Sequence, residues 1–214
     1  MRGLKWALAV LVVAGFAAAA VAGEEAWKPQ GEGWIQLLNG TDLTGWKTAG
    51  TNSFWKAQDG VLANEIEKGK HGTNIYTEKT FNDFQLHIEF KVLKGGNSGV
   101  YLRGRKEIQV LDSYGKEKLG SGDCGGLYSK AAPTVNACNP PGEWSTFDIT
   151  IVGNKITVVQ NGKTIQDGVE LAGNTGGAMA GKDGDPGPIM LQGDHTSIWY
   201  RNIWIKPLPE SEKK

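Results

Sequence analysis

The stretch 95–112, GGNSGVYLRGRKEIQVLD, concentrates side chains able to do chemistry. Read as neighbouring strands over 98–103 and 107–111, it sends Val100, Leu102, Ile108 and Val110 to the core. Tyr101, Arg103, Glu107 and Gln109 then share the opposite face, with Asn97 at its entrance. His87 and Glu89, on the polar side of a third alternating segment, are expected beside them. A face offering hydroxyl, guanidinium, carboxyl, amide and imidazole groups suits the hydroxyls of a saccharide. The plainer alternative is a solvated outer face with incidental ion pairs. Ordinary glycoside hydrolysis needs two carboxyl groups, about 5 Å apart in retaining enzymes and further apart in inverting ones. Here the alternation runs Glu107, Gln109, Leu111, and Asp112 falls one place out of register unless the strand ends there. A double-displacement hydrolase is therefore disfavoured.

The elements that must position these groups read as almost entirely β. Phe84, Leu86, Ile88, Phe90 and Val92 alternate with Gln85, His87, Glu89 and Lys91, a period of two with no helical counterpart. Segments 147–151, 155–159 and 163–165 are separated by Gly153-Asn154 and Asn161-Gly162, pairs whose turns suit adjacent antiparallel strands. Further strands are expected over 189–192 and 198–205. About ten to twelve short strands in ~190 residues predict a two-sheet antiparallel sandwich. The Gly-rich stretch 171–188 reads as a long loop over one edge, of the kind that often carries function.

The 214 residues balance 23 Lys+Arg against 23 Asp+Glu, with no basic cluster, so a nucleic-acid partner is not expected. Residues 1–22 read as a signal peptide: Arg2 and Lys5, an apolar run from Ala7 to Ala20, then Ala20-Val21-Ala22 before an acidic start. Cleavage would leave a single domain over 23–214, periplasmic or extracellular and without a membrane anchor. Export makes a disulfide between Cys124 and Cys138 the expected state of the two cysteines, because neither has a Cys or His at metal-ligand spacing.

Five segments together resemble a known family: LLNGTDLTGW, NSGVYLRGR followed by EIQVLDSYG, GGLYSKAAPTVNACNPPGEWSTFDI, VVQNGKTIQDGVEL and GPIMLQGDHTSIWYRNIWIKPL. They are similar, in order and over about 33–208, to the 3-keto-disaccharide hydrolase domain, also described as 3-keto-glucoside-1,2-lyase and 3-keto-2-hydroxyglucal hydratase. The resemblance implies a jelly-roll sandwich of the concanavalin A-like lectin/glucanase type, acting on a 3-keto-glycoside or another saccharide.

Such a substrate needs only one base. The ketone at carbon 3 acidifies the hydrogen on carbon 2, and its removal lets the glycosidic oxygen on carbon 1 depart; water can then add to the enone. Glu107 or His195 is the candidate base. Arg103, with Lys130 or a divalent metal ion, is the candidate enolate stabiliser; Gln109 and Gln192 would hold hydroxyls, and Asp112 would bind a cation or orient a partner. Members of the family often carry Gln-x-His before the last strand, whereas this chain has Gln192-Gly193-Asp194-His195. Either Asp194 or His195 can therefore supply that function. No spacing of His71, His87 or the acids makes a metal signature. A non-catalytic carbohydrate-binding module on the same sandwich is the alternative.

Overall fold

A computed structural model describes residues 27–51 and 53–209. The expected leader over 1–22 lies outside the described residues. In chain order the strands are β1 (Ile35–Gln36), β2 (Trp46–Thr48), β3 (Trp55–Gln58), β4 (Val61–Asn64), β5 (Ile75–Thr77), β6 (Phe84–Val92) and β7 (Asn97–Leu102). They continue with β8 (Lys106–Leu111), β9 (Trp144–Val152), β10 (Lys155–Gln160), β11 (Lys163–Glu170), β12 (Met190–Leu191) and β13 (Ile198–Pro207). The described residues contain no helix.

Two antiparallel sheets face each other. The larger runs β11-β10-β9-β6-β13-β4-β3, with β1 pairing the far end of β13; the smaller runs β2-β5-β12-β7-β8. The expected two-sheet sandwich is therefore observed. The inner side of β6 (Phe84, Leu86, Ile88, Phe90) packs in one core with Val100, Ile108 and Val110 of β7 and β8. Each such side chain contributes about 1.5–3 kcal/mol on leaving water. The Asn161-Gly162 turn joins β10 to β11 with both residues at positive φ (48° and 76°), the geometry that matches strand twist.

Membership of β6 in the larger sheet corrects the expectation that His87 and Glu89 adjoin Tyr101 and Glu107. Alternation assigned them a polar face, but β6 pairs with β9 and β13, so that face is the outer surface of the opposite layer. There His87 is buried, with Nδ1 2.6 Å from Asp148 Oδ1 and its ring stacked 3.8 Å from that of Trp27. Glu89 accepts from Arg201 Nε at 2.5 Å and Asn202 Nδ2 at 2.7 Å; against burial, which raises it, the contacts with His87, Asn202 and Arg201 hold its carboxyl down at about 2.

The expected disulfide is not formed: Cys124 and Cys138 are free thiols. Gln160 Nε2 lies 3.5 Å from one sulfur and 3.6 Å from the other. The segment between β8 and β9 is held by polar contacts instead. Asp123 binds Lys116 Nζ at 2.7 Å and accepts from the Gly120 N–H at 2.7 Å; Asn136 Nδ2 donates to the Ser113 and Lys116 carbonyls.

The long loop over 172–189 closes over one end of the smaller sheet. The Thr175 N–H donates to Arg105 O at 3.0 Å and the Met179 N–H to Gly104 O at 2.8 Å. Beneath it, buried Lys106 bonds Asp183 Oδ1 at 2.7 Å, Leu171 O at 2.6 Å and Gly173 O at 2.9 Å. A buried ammonium is tolerable when it is satisfied in this way.

Candidate active site

The β7–β8 ladder sets Tyr101 opposite Glu107 and Gly99 opposite Gln109. On one flank β12 continues the sheet, and the Gln192 N–H donates to Gly99 O at 2.9 Å. On the other, the segment 125–128 runs along β8, with Gln109 N–H to Gly126 O at 2.9 Å and Tyr128 N–H to Glu107 O at 3.1 Å. Tyr101, Glu107 and Tyr128 thus form one row, and Gln192, Gly99 and Gln109 the next. The bare backbone at Gly99 leaves a hole in that second row, into which the Glu107 carboxylate folds. A Cβ on Gly99 would collide with Glu107 Oε1.

Two walls complete a cavity of about 320 Å³. Gly176 and Gly177 of the long loop form one, with the Tyr101 hydroxyl 3.1 Å from the Gly176 carbonyl. Gly177 adopts φ 70°, and a side chain there would strike the Tyr101 hydroxyl. Asp194 and His195 form the other, on a turn suspended between the sheets. Asn64 Nδ2 of β4 donates to Gly193 O, and the Gly193 N–H donates to Asn74 Oδ1 beside β5, both at 2.9 Å. Thr196 Oγ1 fastens the turn to β7 by accepting from the Asn97 N–H at 2.8 Å and donating to Asn97 O at 2.9 Å. The remaining lining is Asn97, whose Oδ1 accepts from Gln109 Nε2 at 3.1 Å, together with Gln109, Gln192 and Tyr128.

Glu107 is the most strongly perturbed carboxyl of this cavity. Only 2% exposed, it is pushed up to about 7 by burial, which outweighs the hydrogen bond from Tyr101 and the nearby His195 that favour its anion. Burial and the Glu107 charge drive the Tyr101 hydroxyl well above its ordinary range, so it stays protonated, its one hydrogen shared between Glu107 and the Gly176 carbonyl. His195 is half-exposed, with Nδ1 2.6 Å from Asp194 Oδ1, an arrangement that leaves Nε2 available to a ligand. A carboxyl titrating near neutrality, beside an oriented imidazole and several amides, is equipped for proton transfer.

A family model described as the 3-keto-alpha-glucoside-1,2-lyase-like domain matches residues 33–206. The chain belongs to that family. A curated relative from Bacteroides thetaiotaomicron, named 3-keto-disaccharide hydrolase, is 26% identical over 235 aligned residues, covering 83% of this chain and 79% of that protein. A crystal structure from Parabacteroides distasonis, provisionally named a glycosyl hydrolase, is 32% identical with a TM-score of 0.68 and covers 91% of this chain and 99% of its own. The Crh5 transglycosylase in complex with NAG shares the fold at TM-score 0.56 and 14% identity, covering 85% of this chain and 86% of its own. The architecture is thus the concanavalin-like jelly-roll sandwich.

In this 3-keto-alpha-glucoside-1,2-lyase-like domain the cavity gathers Asn97, Tyr101, Glu107, Gln109, Gln192 and His195 of the expected site. Three other residues require correction as well as His87 and Glu89. The strand ends at Leu102, so Arg103 (φ 54°) and Gly104 (φ 67°) form the hairpin turn and the face alternation stops before Arg103. The buried guanidinium points away from the cavity, donating to Asp83 Oδ1 at 2.8 Å, Asn82 O at 2.6 Å and Gly153 O at 2.9 Å. Asp112 follows the end of β8 and caps a turn, its Oδ2 accepting from the Gly95 N–H at 2.9 Å. Lys130 is exposed on the loop beyond Tyr128 and does not line the cavity.

Sequence reasoning missed Tyr128, although Gly126-Leu127-Tyr128 is a short apolar step within a polar loop and does pair with β8. Gly176 and Gly177 were legible only as part of a long loop. As for a divalent metal, no group of three or more His, Cys, Asp or Glu side chains comes together among the described residues. Within the cavity Asp194 is engaged by His195 and Glu107 by Tyr101, so the donor set does not match a metal and no step is routed through one.

Proposed function

We propose that this carbohydrate-active family member cleaves 3-keto-glycosides by elimination, with Glu107 as the base. The observation that carries the reading is Glu107 itself: a single buried carboxyl, pushed up to about 7, at the floor of a cavity about the size of a sugar ring. An ordinary glycosidase would need a second carboxyl across the bond. The other acid of the cavity, Asp194, is occupied with His195.

In the proposed reaction the 3-keto ring lies over Gly99, and ionised Glu107 takes the hydrogen from carbon 2. The electron pair moves into the carbon 3 carbonyl, giving an enolate. With Arg103 withdrawn into its pair with Asp83, the donors left for that oxygen are the Tyr128 hydroxyl and the Gln109 and Gln192 amides. The enolate then expels the glycosidic oxygen from carbon 1, and His195, oriented by Asp194, protonates it. Addition of water reverses the logic: hydroxide character reaches carbon 1 through His195, and Glu107 returns its proton to carbon 2, so the sum is hydrolysis. A non-catalytic binding module has no use for a carboxyl held near neutrality, because the desolvation that raises Glu107 opposes folding.

The test is to incubate the protein with a 3-keto-glucoside and with the unoxidised glucoside, following enone absorbance and released aglycone. Cleavage of the keto compound alone, abolished by Glu107→Gln, is the expected result. Equal cleavage of the unoxidised sugar, or full activity in Glu107→Gln, overturns the mechanism. We further propose that residues 1–22 direct export and are removed after Ala22, which N-terminal sequencing of protein recovered outside the cytoplasm tests.

A further inference from the structure

The outer face of the larger sheet carries a second concavity. A single row of side chains crosses five strands there: Lys56 on β3, Ala63 on β4, Trp199 on β13, Lys91 on β6 and Trp144 on β9, each register-paired with the next. The small residues of β4, Ala63 and Val61, sit between bulky neighbours and form the floor of a groove of about 310 Å³. The strands on either side of β4 lie about 10 Å apart, a width suited to one sugar chain.

The groove wall is rigidly built. Trp199 Nε1 donates to Glu65 Oε1 at 3.2 Å, and Glu65 in turn is bound by Lys56 at 2.5 Å. Lys91 Nζ lies between the two indoles, 5.1 Å from the Trp144 ring and 5.2 Å from the Trp199 ring, and Arg201 Cζ lies 4.3 Å from the Trp144 ring. These cation–π contacts hold both rings in place. The lining is charge-balanced, with two lysines against Asp59 and Glu65, and Gln58 adds an amide to the rim. The Trp199 indole beside the Ala63 floor matches the apolar C–H face of a pyranose ring while Trp144 braces Lys91 next to it. Alternating donors and acceptors match the hydroxyls, and the absence of net charge favours an uncharged chain.

We propose that this groove is a second, non-catalytic site that holds a neutral oligosaccharide chain. It stands on the opposite side of the sandwich from the Glu107 cavity, so its occupancy is independent of turnover there.

The experiment is affinity electrophoresis of the full chain in gels containing a neutral glucan, galactan or mannan, with a carboxymethylated glucan as the charged control. At least one neutral polymer should retard the protein, and Trp144→Ala and Trp199→Ala should each weaken that retardation at least tenfold. Ala63→Leu, which fills the floor and leaves both indoles in place, should do the same. Glu107→Gln should be retarded like the unaltered protein, and the three groove variants should turn over a small soluble 3-keto-glucoside within twofold of it. Absence of retardation by every neutral polymer overturns the proposal, as does retardation that survives all three groove substitutions. Stronger retention on the carboxymethylated polymer, lost on adding salt, also overturns it by making the groove an ion-exchange surface.

Discussion

The carboxylate of Glu107 occupies the volume that a side chain on Gly99 would fill. The proposed base is therefore placed by an absence on the neighbouring strand as much as by its own backbone. Gly99→Ala should leave the ladder intact and move the carboxylate. We expect kcat/KM on a 3-keto-glucoside to fall about 100-fold with a change in Tm of a few degrees at most. Steady-state kinetics and thermal melts on the same samples check this, and undiminished activity would show that the carboxylate position does not matter.

Burial raises Glu107 to about 7, and a base works only when ionised. Activity should accordingly rise with pH through a limb near 7. Tyr101→Phe removes the hydrogen bond that favours the anion, so the limb should move to higher pH, whereas a purely structural role for Tyr101 would lower the rate without moving the limb. The measurement is the pH profile of kcat/KM for both proteins.

The same shift has a sign in stability. The folded-state value lies above the ordinary one of 4.5, so between those two values the folded protein holds a proton that the unfolded chain has released. Stability thus falls as pH rises from about 4.5 through 7, by about 3 kcal/mol at most. Glu107→Gln should be more resistant to urea than the unaltered protein at pH 8 and show little advantage at pH 4. Equal stability of the two at pH 8 would contradict the burial argument.

Arg103 belongs to the scaffold. Arg103→Ala leaves Asp83 buried without its guanidinium, a loss that typically costs about 3–5 kcal/mol. Urea denaturation should show that loss, while the pH limb of any surviving activity stays where it was.

The two cysteines differ in reactivity. A hydrogen bond from Cys124 holds the Cys138 thiol below its usual value, whereas Cys124 is driven up by its bond to Cys138 and by complete burial. Iodoacetamide applied to the native protein should label Cys138 well before Cys124, as read by peptide mass spectrometry. Preferential labelling of Cys124 would reverse the assignment.

Much of the sandwich was legible because local signals agreed. The alternation over β6 matches the strand observed, and the Asn-Gly turn fixed the register of the β9–β10–β11 meander. The site was half legible for the same reason: period-two spacing puts Tyr101, Glu107 and Gln109 on one face wherever the strand lies. Alternation does not say which sheet a strand joins, which is why His87 and Glu89 landed on the far layer. Nor does it reveal where a strand stops, and one residue of difference at Leu102 sent Arg103 into a turn. Tyr128 and the Gly176-Gly177 wall come from loop segments without an alternating pattern of their own, where position depends on contacts remote in the chain.

The turn that presents Asp194 and His195 is gripped at Gly193 by one asparagine from each layer, Asn64 and Asn74. Glu107, by contrast, belongs wholly to the smaller sheet. The two groups of the proposed mechanism are thus held differently: the His195 turn, fastened to β7 through Thr196, also reaches across to β4, whereas Glu107 rests on the smaller sheet alone. If the proposed roles hold, a change at Asn64 would shift the leaving-group end of the cavity from the opposite layer while Glu107 stays as it is.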